Sequence, residues 1–180
     1  KMTVCEKFAW KDFKDLSKFS SLCNDTRLGG DDNNALIGDP TETALVQEFI
    51  DEGGDFKTLA DEFPRLIELP FDSNRKMMST VHDMGGSRIM ITKGAPDIII
   101  GLSGNLSEDE KDAVMSKNIE LAKRGLRVLA FATKTLADDT CSIDFADERG
   151  FDFIGLIAMI DPPRPESKQA GESCKLAGII

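Results

Sequence analysis

No apolar run in this chain approaches the roughly 18 to 20 residues that a bilayer-spanning helix requires. The stretch around Ile98 to Leu102 is far too short, so no direct membrane contact is expected. Lys1 leads into a polar, acidic segment without an apolar core, which argues against a secretory signal. Cysteine is scarce: Cys5, Cys23, Cys141 and Cys174 are irregularly spaced, with no C-x-x-C pair. With His82 as the single histidine, no zinc or haem constellation can be assembled. The thiols read as free groups in a reducing cytosol, and His82 as an ordinary strand residue. Positive charge is also short, 22 Lys and Arg against 32 Asp and Glu, for a net charge of −10. That balance argues against nucleic acid as a partner, because binding a phosphate backbone needs a basic face. Neither G-x-x-x-x-G-K-[ST] nor G-x-G-x-x-G occurs, so glycine-rich phosphate cradles are unsupported. There is no internal repeat and no low-complexity tract.

What is present suits one globular domain. The 180 residues are 41% hydrophobic and 30% charged, enough to bury a core without staples. After an extended start, Asp12 to about Cys23 has helical spacing at Phe13, Leu16 and Phe19, and Arg27 to Ala35 reads as a solvated loop. Asp39-Pro40-Thr41-Glu42 looks like a helix start, with Asp at N-cap, Pro at N1 and Glu at the N3 position of a capping box. That helix should stop near Gly53-Gly54, and a short one should follow from about Asp55 to Phe63. In the strand Arg65 to Phe71, Leu66, Glu68 and Pro70 alternate against Ile67, Leu69 and Phe71. Lys76–Met84 and Ser87–Thr92 flank Gly85-Gly86, a two-residue hairpin signal. Pro96 opens another helix, and Ser107 to Glu110 is a capping box for a longer one ending near Arg124-Gly125. Arg127–Thr133 and Phe151–Ile160 read as buried strands, with an acidic loop (Ala137 to Asp147) between them. A central hairpin with helices before and after it predicts an α+β fold with a mostly antiparallel β-sheet flanked by helices.

Five short motifs occur in order: GDPTETAL (Gly38 to Leu45), LPFDSNRKMMS (Leu69 to Ser79), TKGAPD (Thr92 to Asp97), RGLRVLAFA (Arg124 to Ala132) and GLIAMIDPPRPES (Gly155 to Ser167). Together they resemble the nucleotide-binding domain of P-type cation-transporting ATPases, and the resemblance covers nearly the whole chain. The opening KMTV is similar to the residues just after that family's phosphorylation motif. The resemblance thus implies residues 1–160 as the nucleotide-binding domain, and 161–180 as hinge and stub of the phosphorylation domain. Asp161-Pro162-Pro163-Arg164 would be the stiff return connector.

For the site, the resemblance implies that Phe71 stacks on adenine, although a Phe ending an apolar strand is by default a core residue. Lys76 and Met78, two apart, are candidates to line the base pocket. Lys93 emerges from a strand into a small-residue turn and lies deep in the family's nucleotide pocket, with Gly94 allowing close backbone approach. Glu42 would accept from the adenine amino group, a role that competes with helix capping for the same carboxylate. Arg127 has a guanidinium suited to phosphate oxygens, and Leu129 either backs the adenine or ribose or is an ordinary core leucine. Several members of the family carry a phosphate-contacting arginine where this chain has Ser73; Arg75 is near but should point elsewhere, so the phosphate grip is expected to rest more on Lys93 and Arg127.

The implied partners are ATP and ADP, with Mg²⁺ in the parent enzyme, and the phosphorylation and actuator domains of the same parent chain. The implied setting is a cytoplasmic domain of an integral membrane pump. Binding without turnover is expected, with a dissociation constant of about 1 mM or somewhat below, near −4 kcal/mol. The motif wording looks closest to calcium pumps. The alternative is a non-catalytic regulatory or interaction module with a vestigial nucleotide site.

Overall fold

The computed structural model describes residues 2–29 and 35–161. Six strands form one antiparallel sheet in the order β1-β8-β7-β6-β5-β4. These are β1 (Thr3–Ala9), β4 (Arg65–Asp72), β5 (Met77–Met84), β6 (Ser87–Gly94), β7 (Arg127–Leu136) and β8 (Asp152–Ile160). Among the described residues five α-helices accompany it: α1 (Leu16–Leu22), α2 (Pro40–Asp51), α3 (Phe56–Glu62), α4 (Pro96–Leu102) and α5 (Glu108–Lys123). The expected α+β architecture is the one observed.

Local chemistry accounts for most element ends. Gly85 and Gly86 take φ of 70° and 94°, the left-handed pair that a two-residue hairpin needs, and β5 and β6 pair without a slip on either side of them. Ser107 and Glu110 complete the capping box of α5. Asp55 caps α3 by accepting from the Thr58 amide. Two segments depart from the sequence reading. The first helix is shorter than its apolar spacing suggests, because Trp10–Asp12 forms a separate 3-10 turn with Lys11 and Asp12 at positive φ. Part of the expected solvated loop is ordered as a small ladder, β2 (Arg27–Gly29) against β3 (Ala35–Ile37). The proposed hinge and stub lie outside the described residues, apart from Asp161.

The sheet buries both faces. On one, Val81, Met90, Ala130 and Leu156 pack with Ile99 of α4 and Val114 and Leu121 of α5. On the other, Phe131, Ile157 and Met159 meet Leu16 of α1 and Leu45 of α2, continuing into Met78, Ile91 and Leu59. Central strands buried on both sides explain why β8 is apolar along nearly its whole length. Cys5, Cys23 and Cys141 are free thiols, and burial pushes the Cys23 thiol up.

His82 is 2% exposed, with Nδ1 2.8 Å from the Phe63 carbonyl and Nε2 3.0 Å from the Thr80 hydroxyl. Burial holds its pKa below the ordinary 6.5, outweighing the opposing effect of the Phe63 carbonyl. The unfolded chain therefore takes up the proton first as pH falls, so stability declines from the unfolded value down through the folded one. Urea midpoints should fall between about pH 7.5 and 5.5, and His82→Gln should flatten that slope.

Candidate nucleotide-binding site

The C-terminal ends of β4 and β6 and the N-terminal ends of β5 and β7 lie at the same end of the antiparallel sheet. The N-terminus of α2 closes over them, and together these ends form a cavity of about 620 Å³. That is within the roughly 300–1,000 Å³ typical of small-molecule sites. Phe71, Lys76, Lys93, Arg127, Leu129 and Glu42 all line it, joined by Asp25, Asp39, Thr41, Ala95, Pro96 and Val128.

Phe71 reaches the cavity through a break in strand pattern. Strict alternation would place it with Ile67 and Leu69, pointing inward. The pairing instead runs Leu69 to Ser79 and then Asp72 to Met77, so two residues of β4, Pro70 and Phe71, face Met78 alone. This bulge gives two successive exposed positions and turns the ring outward, 63% exposed. Pro70 has no amide to donate, and β4 is the edge strand of the sheet, so its ladder bond is not missed.

Lys76 follows in the turn rather than in β5, with φ at 56°. Its left-handed backbone interrupts the period-two relation expected with Met78. Lys76 lines the cavity, whereas Met78 is 1% exposed and packs among Leu22, Cys23, Leu59 and Ile91. The structure does not bring Met78 to the cavity wall. Gly94 is also absent from the lining. A Cβ there would come within 2.6 Å of the Lys76 carbonyl oxygen and 2.7 Å of the Met77 Cβ. Close approach of β5 therefore suffices to require glycine.

Lys93 is buried, and its ammonium is ion-paired with Glu42 Oε1. Glu42 Oε2 accepts from the Asp25 amide at 3.0 Å. The capping-box expectation for Glu42 is corrected here. Asp39 is the N-cap and accepts from the Thr41 amide at 2.8 Å, while the Glu42 carboxylate turns to Lys93 and Asp25. An ammonium donor and a carboxylate acceptor thus stand side by side on the wall. Such a pair can meet the acceptors and donors along the edge of a purine. Arg127 is exposed and donates from Nη1 to Thr41 Oγ1 at 2.8 Å, beside the positive end of α2. Leu129, half-buried, packs against the core that includes Leu45 and Phe131 while contributing an apolar surface to the cavity.

The cavity therefore offers an exposed ring, an apolar wall, a mixed polar edge and a cationic rim, features that fit a nucleoside polyphosphate. Of the residues that sequence reasoning did not single out, Thr41 had a signal: it sits in the GDPTETAL motif beside Glu42. Val128 likewise lies in the RGLRVLAFA motif between Arg127 and Leu129, whereas Asp25 had none, since only tertiary packing brings it in. Arg75 points away from the cavity, as expected; its guanidinium pairs with Glu148.

Comparison with known proteins bears on the family. The family model described as P-type ATPase, cytoplasmic domain N, matches residues 12–166. The calcium-transporting ATPase 1 of Lactococcus lactis is 35% identical over 200 residues, 99% of this chain and 23% of that protein. The cation-transporting ATPase pma1 of Synechocystis is 41% identical over 168 residues, covering 88% of this chain and 18% of the relative. The calcium-transporting ATPase of Bacillus subtilis is 36% identical over 182 residues, 94% and 20% of the two chains. This chain thus spans about a fifth of the length of the curated relatives it matches. Among the described residues, no helix is long and apolar enough to cross a membrane. By motif order, sheet topology and alignment across most of its length, the chain belongs to the P-type ATPase cytoplasmic N-domain family.

Proposed function

We propose that this domain binds ATP in the cavity at the end of the sheet and presents it to an aspartate on another domain of a parent cation pump. The observation that carries the reading is Phe71, a large aromatic ring turned outward by a bulge into the same cavity as Lys93, Glu42 and Arg127. Phe71 stacks on adenine, with Leu129 as part of the apolar wall. The Lys93–Glu42 pair reads the base edge. Lys76 and Arg127 attract the phosphate chain, which an acidic domain would otherwise repel. Mg²⁺-bound ATP would supply the phosphoryl group, whose transfer depends on in-line geometry and charge neutralisation. The acceptor, the metal carboxylates and the ion path are assigned to the phosphorylation, actuator and membrane parts of the parent. This domain therefore binds without turnover on its own. Relatives named as calcium-transporting support Ca²⁺ as the transported ion.

The test is an NMR titration of the 180-residue chain with ATP, ADP and AMP. Resonances of Phe71, Lys93 and their neighbours should shift with all three. Stacking as the dominant contact predicts dissociation constants within about tenfold of one another, or 1.4 kcal/mol. A steep loss on trimming to AMP would move the affinity from the base to the phosphates. No perturbation at any of these residues would favour a vestigial site.

A further inference from the structure

We infer that the pair between half-buried Arg75 and buried Glu148 is a positioning device, clamping the β4–β5 turn from behind so that Phe71 and Lys76 stay aimed into the cavity. This rests on the nucleotide reading above and adds two residues that are not among those lining the cavity. Glu148 belongs to the loop between β7 and β8, 73 residues from Arg75, yet its side chain is 0% exposed. Glu148 Oε1 accepts from Ser79 Oγ at 2.7 Å, and Oε2 is paired with Arg75 Nη1. Ser79 and Thr92, joined hydroxyl to hydroxyl at 2.8 Å, alternate with Met78 and Lys93 along their strands. They therefore lie on the opposite face of the sheet from the cavity wall.

Arg75 connects that anchor to the bulge. Its Nη2 donates to the Pro70 carbonyl at 2.6 Å, the residue immediately before Phe71. The guanidinium also lies over the Phe145 ring, 4.3 Å from its centroid, and Phe145 comes from the same loop as Glu148. Within the turn, Asp72 Oδ1 accepts from the Asn74 and Arg75 amides at 2.9 Å each and the Asp72 carbonyl accepts from the Lys76 amide at 2.7 Å, while the Lys76 carbonyl at its far end accepts from the Ala95 amide at 3.0 Å. The Asp72 bonds shape the turn and the Ala95 bond ties its β5 end to the start of α4, which leaves the Pro70-Phe71 end to the Arg75 guanidinium. A bulge on an edge strand lacks a neighbour on one side, so its orientation depends on such an external tie. A buried carboxylate held by one guanidinium and one hydroxyl leaves the arginine a narrow range of positions.

The experiment is Glu148→Gln, which keeps the hydrogen bond from Ser79 and removes the charge. Amide exchange and nucleotide titration are measured on the same samples. Exchange at Asn74, Arg75 and Lys76 should accelerate about tenfold, and ATP, ADP and AMP should all bind about tenfold more weakly, because the loss acts through the adenine ring. In a Phe71→Ala background the same substitution should cost no further affinity, an outcome that general loosening of the fold would not give. Unchanged exchange at the turn, unchanged affinity, or a loss that persists in full without the Phe71 ring would each overturn the clamp. A wild type that binds no nucleotide would sink the reading of the site, and turn exchange would then decide the clamp by itself. Should Glu148→Gln not fold, Phe145→Ala removes an exposed ring from the same guanidinium and is read by the same two measurements.

Discussion

Phe71→Ala should weaken ATP binding by roughly tenfold to a hundredfold, the range expected for losing one aromatic–base stack. The fold should scarcely register the change. The ring is 63% exposed, so its removal creates no cavity and returns little apolar surface to water. Stability and affinity are thus expected to separate: an unchanged melting temperature with a much weaker dissociation constant, read by thermal unfolding and nucleotide titration. ADP and AMP should lose the same factor, because the deleted contact is to the base they share. Phe71→Trp, which keeps a stacking face, should restore most of the affinity. A large stability loss in Phe71→Ala would mean that the ring is a structural residue after all.

Lys93→Met should have the opposite signature and damage both properties. Its ammonium is buried against the Glu42 carboxylate, and methionine matches the stem while removing the charge. Breaking a buried pair leaves the other charge uncompensated, at a typical cost of about 3 kcal/mol. Glu42 retains its bond from the Asp25 amide and a small opening to solvent, so the low end of the usual range is appropriate. Glu42→Gln in the same chain should recover part of that stability, since an uncharged amide needs no counter-ion. It should not recover nucleotide binding, because both members of the polar edge are then altered. Urea unfolding of the two single variants and the double variant gives the coupling directly. Additive losses would mean that the two side chains do not depend on each other.

Elements governed by local rules were legible in the sequence. The Gly85-Gly86 hairpin, the Ser107 capping box and the Pro40 helix start each depend on a few neighbouring residues, and each stands where those residues indicate. The ordered motifs also gathered the site. Glu42, Phe71, Lys76, Lys93, Arg127 and Leu129 share one cavity although 87 residues separate the first from the last. What stayed hidden was decided by register and tertiary competition. The motifs implied a stacking role for Phe71, but strand alternation alone would turn it inward, and the bulge at Pro70-Phe71 that exposes it had no local signal. The same alternation coupled Met78 to Lys76, but a left-handed residue at the turn separates them. Glu42 had a good local partner at the helix start, yet a buried lysine from β6 was the stronger attraction for its carboxylate. The Arg75–Glu148 tie had no local signal at all, because the two residues meet only when the β7–β8 loop folds back over the sheet.

A nuclear Overhauser measurement on the chain with saturating ATP probes the stacked purine most directly. Cross-peaks from the adenine H2 and H8 protons to the ring protons of Phe71, with further contacts to Leu129, are the expected result. Adenine protons that show contacts elsewhere, or none to that ring while ATP is demonstrably bound, would contradict it.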